Sequence, residues 1–128
     1  MWKSITLGCL IGLSVLPPLA SASPSTPMRH EPRPPALMAG KTLFDEHCAS
    51  CHQADGRGGT RFGHVVAANL RAPHLEAVYH HSDALIIRAI LQGKDEDGER
   101  LQAPMPRWVG RLSHAQAVAI VDYLHTLH

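Results

Sequence analysis

Two cysteines two residues apart, with a histidine directly after the second, sit in the stretch HCASCHQADGRGG, His47 to Gly59. No other feature limits the chain as tightly. A pair at this spacing can close a small disulfide, act as a redox dithiol, supply half of a metal site, or anchor a larger group. Each outcome needs a different fold around it. A thioredoxin-like dithiol sits near a βαβ pattern, and a tetrahedral zinc site needs four ligands, usually from two such pairs. Here there is one pair. The third cysteine, Cys9, lies far upstream in an apolar segment.

That upstream segment reads as an export signal. Lys3 gives the positive start, Ile5 to Leu16 the apolar run and Pro17-Pro18 the break. Ala20-Ser21-Ala22 fits the small-x-small cleavage pattern, so residues 1–22 are read as a signal peptide cut after Ala22. The run is short against the about 20 apolar residues that cross a bilayer. Membrane contact is expected only if the signal stays uncleaved, and the folded part is expected in the periplasm. A simple cysteine pair tends to oxidise there, which keeps the plain disulfide in play. Basic and acidic residues nearly balance, 12 against 11. Nucleic-acid binders carry a clustered basic excess, so that class is set aside.

Residues 23–35, SPSTPMRHEPRPP, are proline-rich without an apolar period and read as an extended tether. The folded domain is expected over 36–128. Leu37, Gly40, Phe44 and Cys48 recur at three- and four-residue spacing, which predicts a helix from about Ala36 to Ala49. Asp55 to Gly63 is glycine-rich and reads as loop. His64 to Leu75 has no clear period, and Pro73 argues against a long helix there. Ser82 is a good N-cap for a second helix with the stripe Leu85, Ile86, Ala89 and Ile90, stopped at Gly93. Ser113 to Gln116 is a capping box, followed by Ala117, Ile120, Val121, Leu124 and Leu127. No segment reads as a strand. The expected class is all-α, with about three main helices and long loops.

Such a chain is short of core. Ordering loop costs about 1–2 kcal/mol of backbone entropy per residue, and three helices bury little to offset it. A large apolar body is missing from the interior. C-x-x-C-H supplies one, because it is the attachment sequence of c-type haem. Cysteines at i and i+3 project from one side of a helical turn and reach both vinyl groups of one porphyrin. The next residue, His52, then lies under the iron.

The chain resembles the class I c-type cytochromes, particularly their small bacterial periplasmic members. The resemblance runs through most of Ala36 to Leu127. It rests on GKTLFDEHCASCHQADGRGG, on Asn69-Leu70, on SDALIIRAILQGKDEDGERLQAPMP and on LSHAQAVAIVDYLHTL. It implies the cytochrome c fold wrapped around one haem c, attached through Cys48 and Cys51. The first and last helices would cross near a right angle, with Gly40 and Phe44 meeting Ile120 and Tyr123. His52 would donate its other ring N–H to a backbone carbonyl. In the family that carbonyl usually belongs to a proline just before "NL"; here Ala68 holds the position.

Met105, stiffened between Pro104 and Pro106, is the candidate sixth ligand, so His52 and Met105 are the expected metal ligands. His64, His74, His80 and His81 are competitors for that place. Trp108, Arg61 and Arg57 are candidate donors to the haem propionates. The implied function is periplasmic electron transfer, one electron carried between respiratory redox partners, with no enzymatic activity. Two alternatives stay open. One is a cytochrome subunit of a larger dehydrogenase or reductase. The other is a haem sensor or enzyme with a labile sixth ligand.

Overall fold

The computed structural model describes residues 34–128. The segments read as an export signal and, up to Arg33, as a tether lie outside the described residues. Helix α1 spans Pro34–His47 and α2 spans Ala49–His52. Strands β1 (Arg61–Phe62) and β2 (Val65–Val66) form a two-stranded hairpin. Helices α3 (Ala72–Val78), α4 (Asp83–Gln92) and α5 (His114–Leu124) follow.

The three long helices are those that the apolar period predicts. α1 is described from Pro34, two residues before the expected Ala36. Proline is compatible with a first turn, because the N–H it lacks has no partner there. α4 ends on Gly93 in the left-handed conformation, and Asp83 lies at the positive end of its dipole. Ser82 occupies the N-cap position, but its side chain makes no capping hydrogen bond. α5 begins with the full capping box. The Gln116 N–H donates to Ser113 Oγ at 3.2 Å, and the Ser113 N–H donates to Gln116 Oε1 at 2.8 Å.

α1 and α4 both pack on α5. Phe44, Ile120 and Val121 are the largest fully buried side chains. The Phe44 and Tyr123 rings meet at 5.4 Å and 57°. Gly40 makes the close approach possible, since a Cβ on it would run into the Ala119 carbonyl and lie 3.1 Å from the Tyr123 Cβ.

No long helix forms around Pro73; it sits in the first turn of the short, seven-residue α3, where a missing N–H costs nothing. The expectation of no strand is corrected by the hairpin, in which Arg61 pairs with Val66 and Phe62 with Val65. Its two-residue loop is Gly63-His64, with Gly63 at φ 63°. Glycine at the first loop position suits a tight hairpin turn between β-favouring residues.

Candidate functional site

The CxxCH stretch folds as one helical turn directly after α1. The Cys48 N–H still donates to the Phe44 carbonyl at 2.8 Å, and the N–H groups of Cys51 and His52 donate back to the Cys48 carbonyl. Gln53, at φ 68° and ψ 154°, turns the chain out of the helix. Helical continuity from α1 thus sets where Cys48, Cys51 and His52 stand.

All three line a cavity of about 370 Å³, within the about 300–1,000 Å³ typical of sites for small ligands and cofactors. Phe44 from α1, Leu75 and Val78 from α3, Ile86 and Ile90 from α4, and Ile120 and Leu124 from α5 supply its apolar sides. The hairpin covers it with Phe62, Val65 and Val66. Among the described residues no lysine or arginine is on the wall; the histidines and carboxylates there are His47, His52, His74 and Glu96.

His52 is buried, and its Nδ1–H donates to the Ala68 carbonyl at 2.8 Å. The acceptor is thus the residue expected from its place before Asn69-Leu70. A carbonyl only accepts, so this bond puts the ring proton on Nδ1 and leaves Nε2 with its lone pair. Burial pulls the His52 midpoint below the usual histidine range, partly opposed by the Ala68 bond. Burial thus favours the neutral ring, and the Ala68 bond sets its tautomer.

The Ala68 carbonyl is itself held without a proline. The Gly58 N–H donates to the His52 carbonyl at 2.8 Å, and the Gly59 N–H to the Ala67 carbonyl at 2.9 Å. Gly58 has φ 68°, and a Cβ there would run into the Ala67 and Ala68 carbonyls. Only glycine allows this approach without strain. Asp55 closes the loop through Arg71: their side chains meet at 2.6 Å, and Arg71 Nε donates to the Asp55 carbonyl at 3.2 Å.

Cys48 and Cys51 are free thiols, each half-buried. Burial, then the neighbouring Cys51, push the Cys48 thiol up to about 11. Redox-active dithiols lie in the opposite direction, with a depressed nucleophilic thiol. The raised Cys48 thiol is therefore unlike the attacking thiol of a redox dithiol.

Met105 lines the same cavity. Its loop is stitched to the C-terminal end of α4. The Leu101 N–H donates to the Gly93 carbonyl, Trp108 N–H to Ile90, and Val109 N–H to Leu91, at 2.9 to 3.2 Å. These bonds satisfy carbonyls that a helix end otherwise leaves open.

Trp108 also lines the cavity. Its ring lies 5.0 Å from that of His47, with the Arg111 guanidinium carbon 5.4 Å from its centroid. Arg61 is exposed on β1, and neither it nor Arg57 reaches the wall; Arg57 lies 3.7 Å from Asp55. Of the histidines weighed against Met105, His74 lines the cavity and His64, His80 and His81 do not.

Sequence reasoning missed His47, Tyr79 and the hairpin residues Phe62, Val65 and Val66 as wall residues. The hairpin had a local signal, β-favouring residues around a glycine-led pair. Tyr79 had none, because its place depends on how α3 and α4 meet.

The residues present fit a haem attached through the cysteine pair. The cavity is apolar and of cofactor size, two thiols open onto it, and a buried imidazole keeps a free Nε2 beside them. Comparison with known proteins agrees. Residues 37–128 match the family model described as cytochrome c. The chain is 30% identical over 105 residues to the cbb3-type cytochrome c oxidase subunit FixPc of Rhizobium leguminosarum bv. viciae, covering 78% of this chain and 31% of that protein. It is 31% identical over 95 residues to subunit CcoP of Azospirillum brasilense, covering 72% of this chain and 28% of that one. It is 26% identical over 87 residues to cytochrome c6 of Euglena gracilis, covering 68% of this chain and 87% of that protein. The match spans less than a third of the length of the cbb3 subunits.

Proposed function

Because this chain belongs to the cytochrome c family, with a haem c carried by Cys48 and Cys51, we propose that it is an exported one-electron carrier whose iron is held between His52 and Met105. Bound haem supplies the ferric/ferrous couple. The chain's own residues do the rest. Cys48 and Cys51 fix the group to the turn after α1. His52 is kept neutral by burial and oriented by the Ala68 carbonyl. Met105 offers a soft thioether that, paired with histidine, raises the reduction potential. If His52 and Met105 both hold the iron, no position would be open for a substrate, which favours a carrier over a sensor or enzyme.

The observation that carries this reading is that His52, with its proton held on Nδ1, and Met105, on a loop pinned at both ends to α4, line one apolar cavity. Trp108, whose indole N–H is a good donor to a carboxylate, lines the wall and is the proposed partner of a haem carboxylate. Arg61, exposed on the hairpin and off the wall, is the weaker candidate for that role. The partners are redox proteins.

A redox titration followed by optical spectra tests the ligands. Wild type is expected to show a sulfur-to-iron band at the red edge of the ferric spectrum. Met105→Ala is expected to lose it and drop in potential. If the band is absent from wild type, the thioether assignment is wrong and His74 becomes the first alternative.

A second reading, that the chain works as a cytochrome subunit of a larger complex, is favoured by its relatives being parts of cbb3 oxidases. Among the described residues no helix is long and apolar enough to cross a membrane. Co-purification of the tagged chain from its native membrane separates a fixed subunit from a free carrier.

A further inference from the structure

We propose that protonated His125 latches α3 and α4 to the end of α5, so that these three walls of the haem cavity loosen from one another when the proton leaves.

His125 follows the last turn of α5. Its Nδ1 lies 2.8 Å from Glu76 Oε1 on α3, and its Nε2 lies 2.8 Å from Asp83 Oδ1 on α4. A carboxylate only accepts, so both ring nitrogens must donate. A neutral imidazole has one N–H, and therefore satisfies one of these contacts and sets a lone pair against the other carboxylate. The two-armed contact exists only for the imidazolium. Helix ends reinforce it: a cation is favoured at the C-terminal end of α5, and an anion at the first residue of α4.

The charged and titratable groups facing this ring are Glu76 from α3, Asp83 from α4 and, behind Glu76, His81 from the intervening turn. His81 Nδ1 lies 3.6 Å from the second Glu76 oxygen. Partial burial works against the His125 charge, but the two carboxylates outweigh it and hold the ring above the ordinary value of 6.5. The sign follows. The latch is fully present below pH 6.5 and is lost as pH rises through the raised midpoint. The contacts join parts 49 and 42 residues apart in sequence. Leu75 and Val78 of α3, Ile86 and Ile90 of α4, and Ile120 and Leu124 of α5 all line the cavity, so the ring ties together three of its walls.

The test uses the haem-loaded protein. Proton NMR of the His125 ring is expected to give a midpoint above 6.5, lowered by Glu76→Gln and, by a smaller amount, by Asp83→Asn at its more exposed arm. Amide exchange at Leu75 and Ile86, corrected for intrinsic rates, is expected to quicken several-fold as wild type passes through that midpoint. It should stay level with pH in His125→Gln. A wild-type midpoint at or below 6.5, no response to either carboxylate variant, or level exchange in wild type would each overturn the latch. None of these readouts depends on the sixth ligand, so a failure here is separate from a failure of the Met105 assignment.

Discussion

The contact of α1 with α5 and the loop from Gln53 to Arg71 both form walls of the same cavity, but they are built by opposite means. In the first, apolar side chains interlock: Phe44, Ile120 and Val121 are fully buried, and Gly40 lets the backbones close. In the second, no side chain is fully buried. The loop keeps its shape through backbone hydrogen bonds, glycines at positive φ and the Asp55–Arg71 pair. Helix packing supplies its own hydrophobic driving force. The loop has little of its own and leans on whatever fills the cavity. The difference teaches where the cofactor matters most for stability.

The sharpest way to break this contrast is to remove the haem anchors. Cys48→Ala/Cys51→Ala is expected to give a colourless protein. Hydrogen exchange should show lost protection at Ala67 and Leu70, while amides of α5 such as Val121 keep a measurable part of theirs. Equal loss in both regions would show that α1–α5 packing has no independent stability.

Next come the two glycines, one in each region. Gly40→Ala forces a methyl against the Ala119 carbonyl and is expected to cost about 1–3 kcal/mol, the usual range for overpacking, with little movement of the reduction potential. Gly58→Ala pushes on the Ala67 and Ala68 carbonyls instead. It is expected to disturb the His52 hydrogen bond and so shift the potential as well as the melting temperature. Thermal melts and redox titrations of both variants decide the matter. If Gly58→Ala melts lower with an unchanged potential, the loop does not orient His52.

Ser113→Ala removes the acceptor of the α5 capping box and is expected to cost about 1 kcal/mol, read by denaturant unfolding, without change in the optical spectrum. The smallest effect belongs to Asp55. Its carboxyl is held below its usual value, first by the Arg57 backbone N–H and then by the charges of Arg57 and Arg71. Its contribution is present above pH 3.8 and is lost as pH falls through the lowered midpoint. Asp55→Asn is therefore expected to flatten the acid end of the stability profile slightly. Both partners are substantially exposed, and surface pairs of this kind contribute little. A large acid-side change would mean the loop rests on this pair more than on its backbone bonds.

Much of the fold was legible because helices carry a local period. The stripes Gly40–Phe44, Ile86–Ala89–Ile90 and Ala117–Ile120–Val121–Leu124 are buried as their spacing requires. The cysteine turn was equally readable, since Cys48, Cys51 and His52 are set by helical geometry over five residues. α3 was less so, because Pro73 reads as a breaker unless the helix is known to start one residue before it. Glu76, Asp83 and His125 show no relation in sequence at all.

By itself, then, the order of residues determined the helices, the anchoring turn and the kind of group it holds, since each depends on neighbours within a few positions. Tertiary structure alone decided that Arg61 stands away from the cavity wall while His47 and Tyr79 line it, and that three helices share one histidine. Those outcomes depend on where distant segments come to rest, and packing fixes them only when the whole chain closes around the cavity.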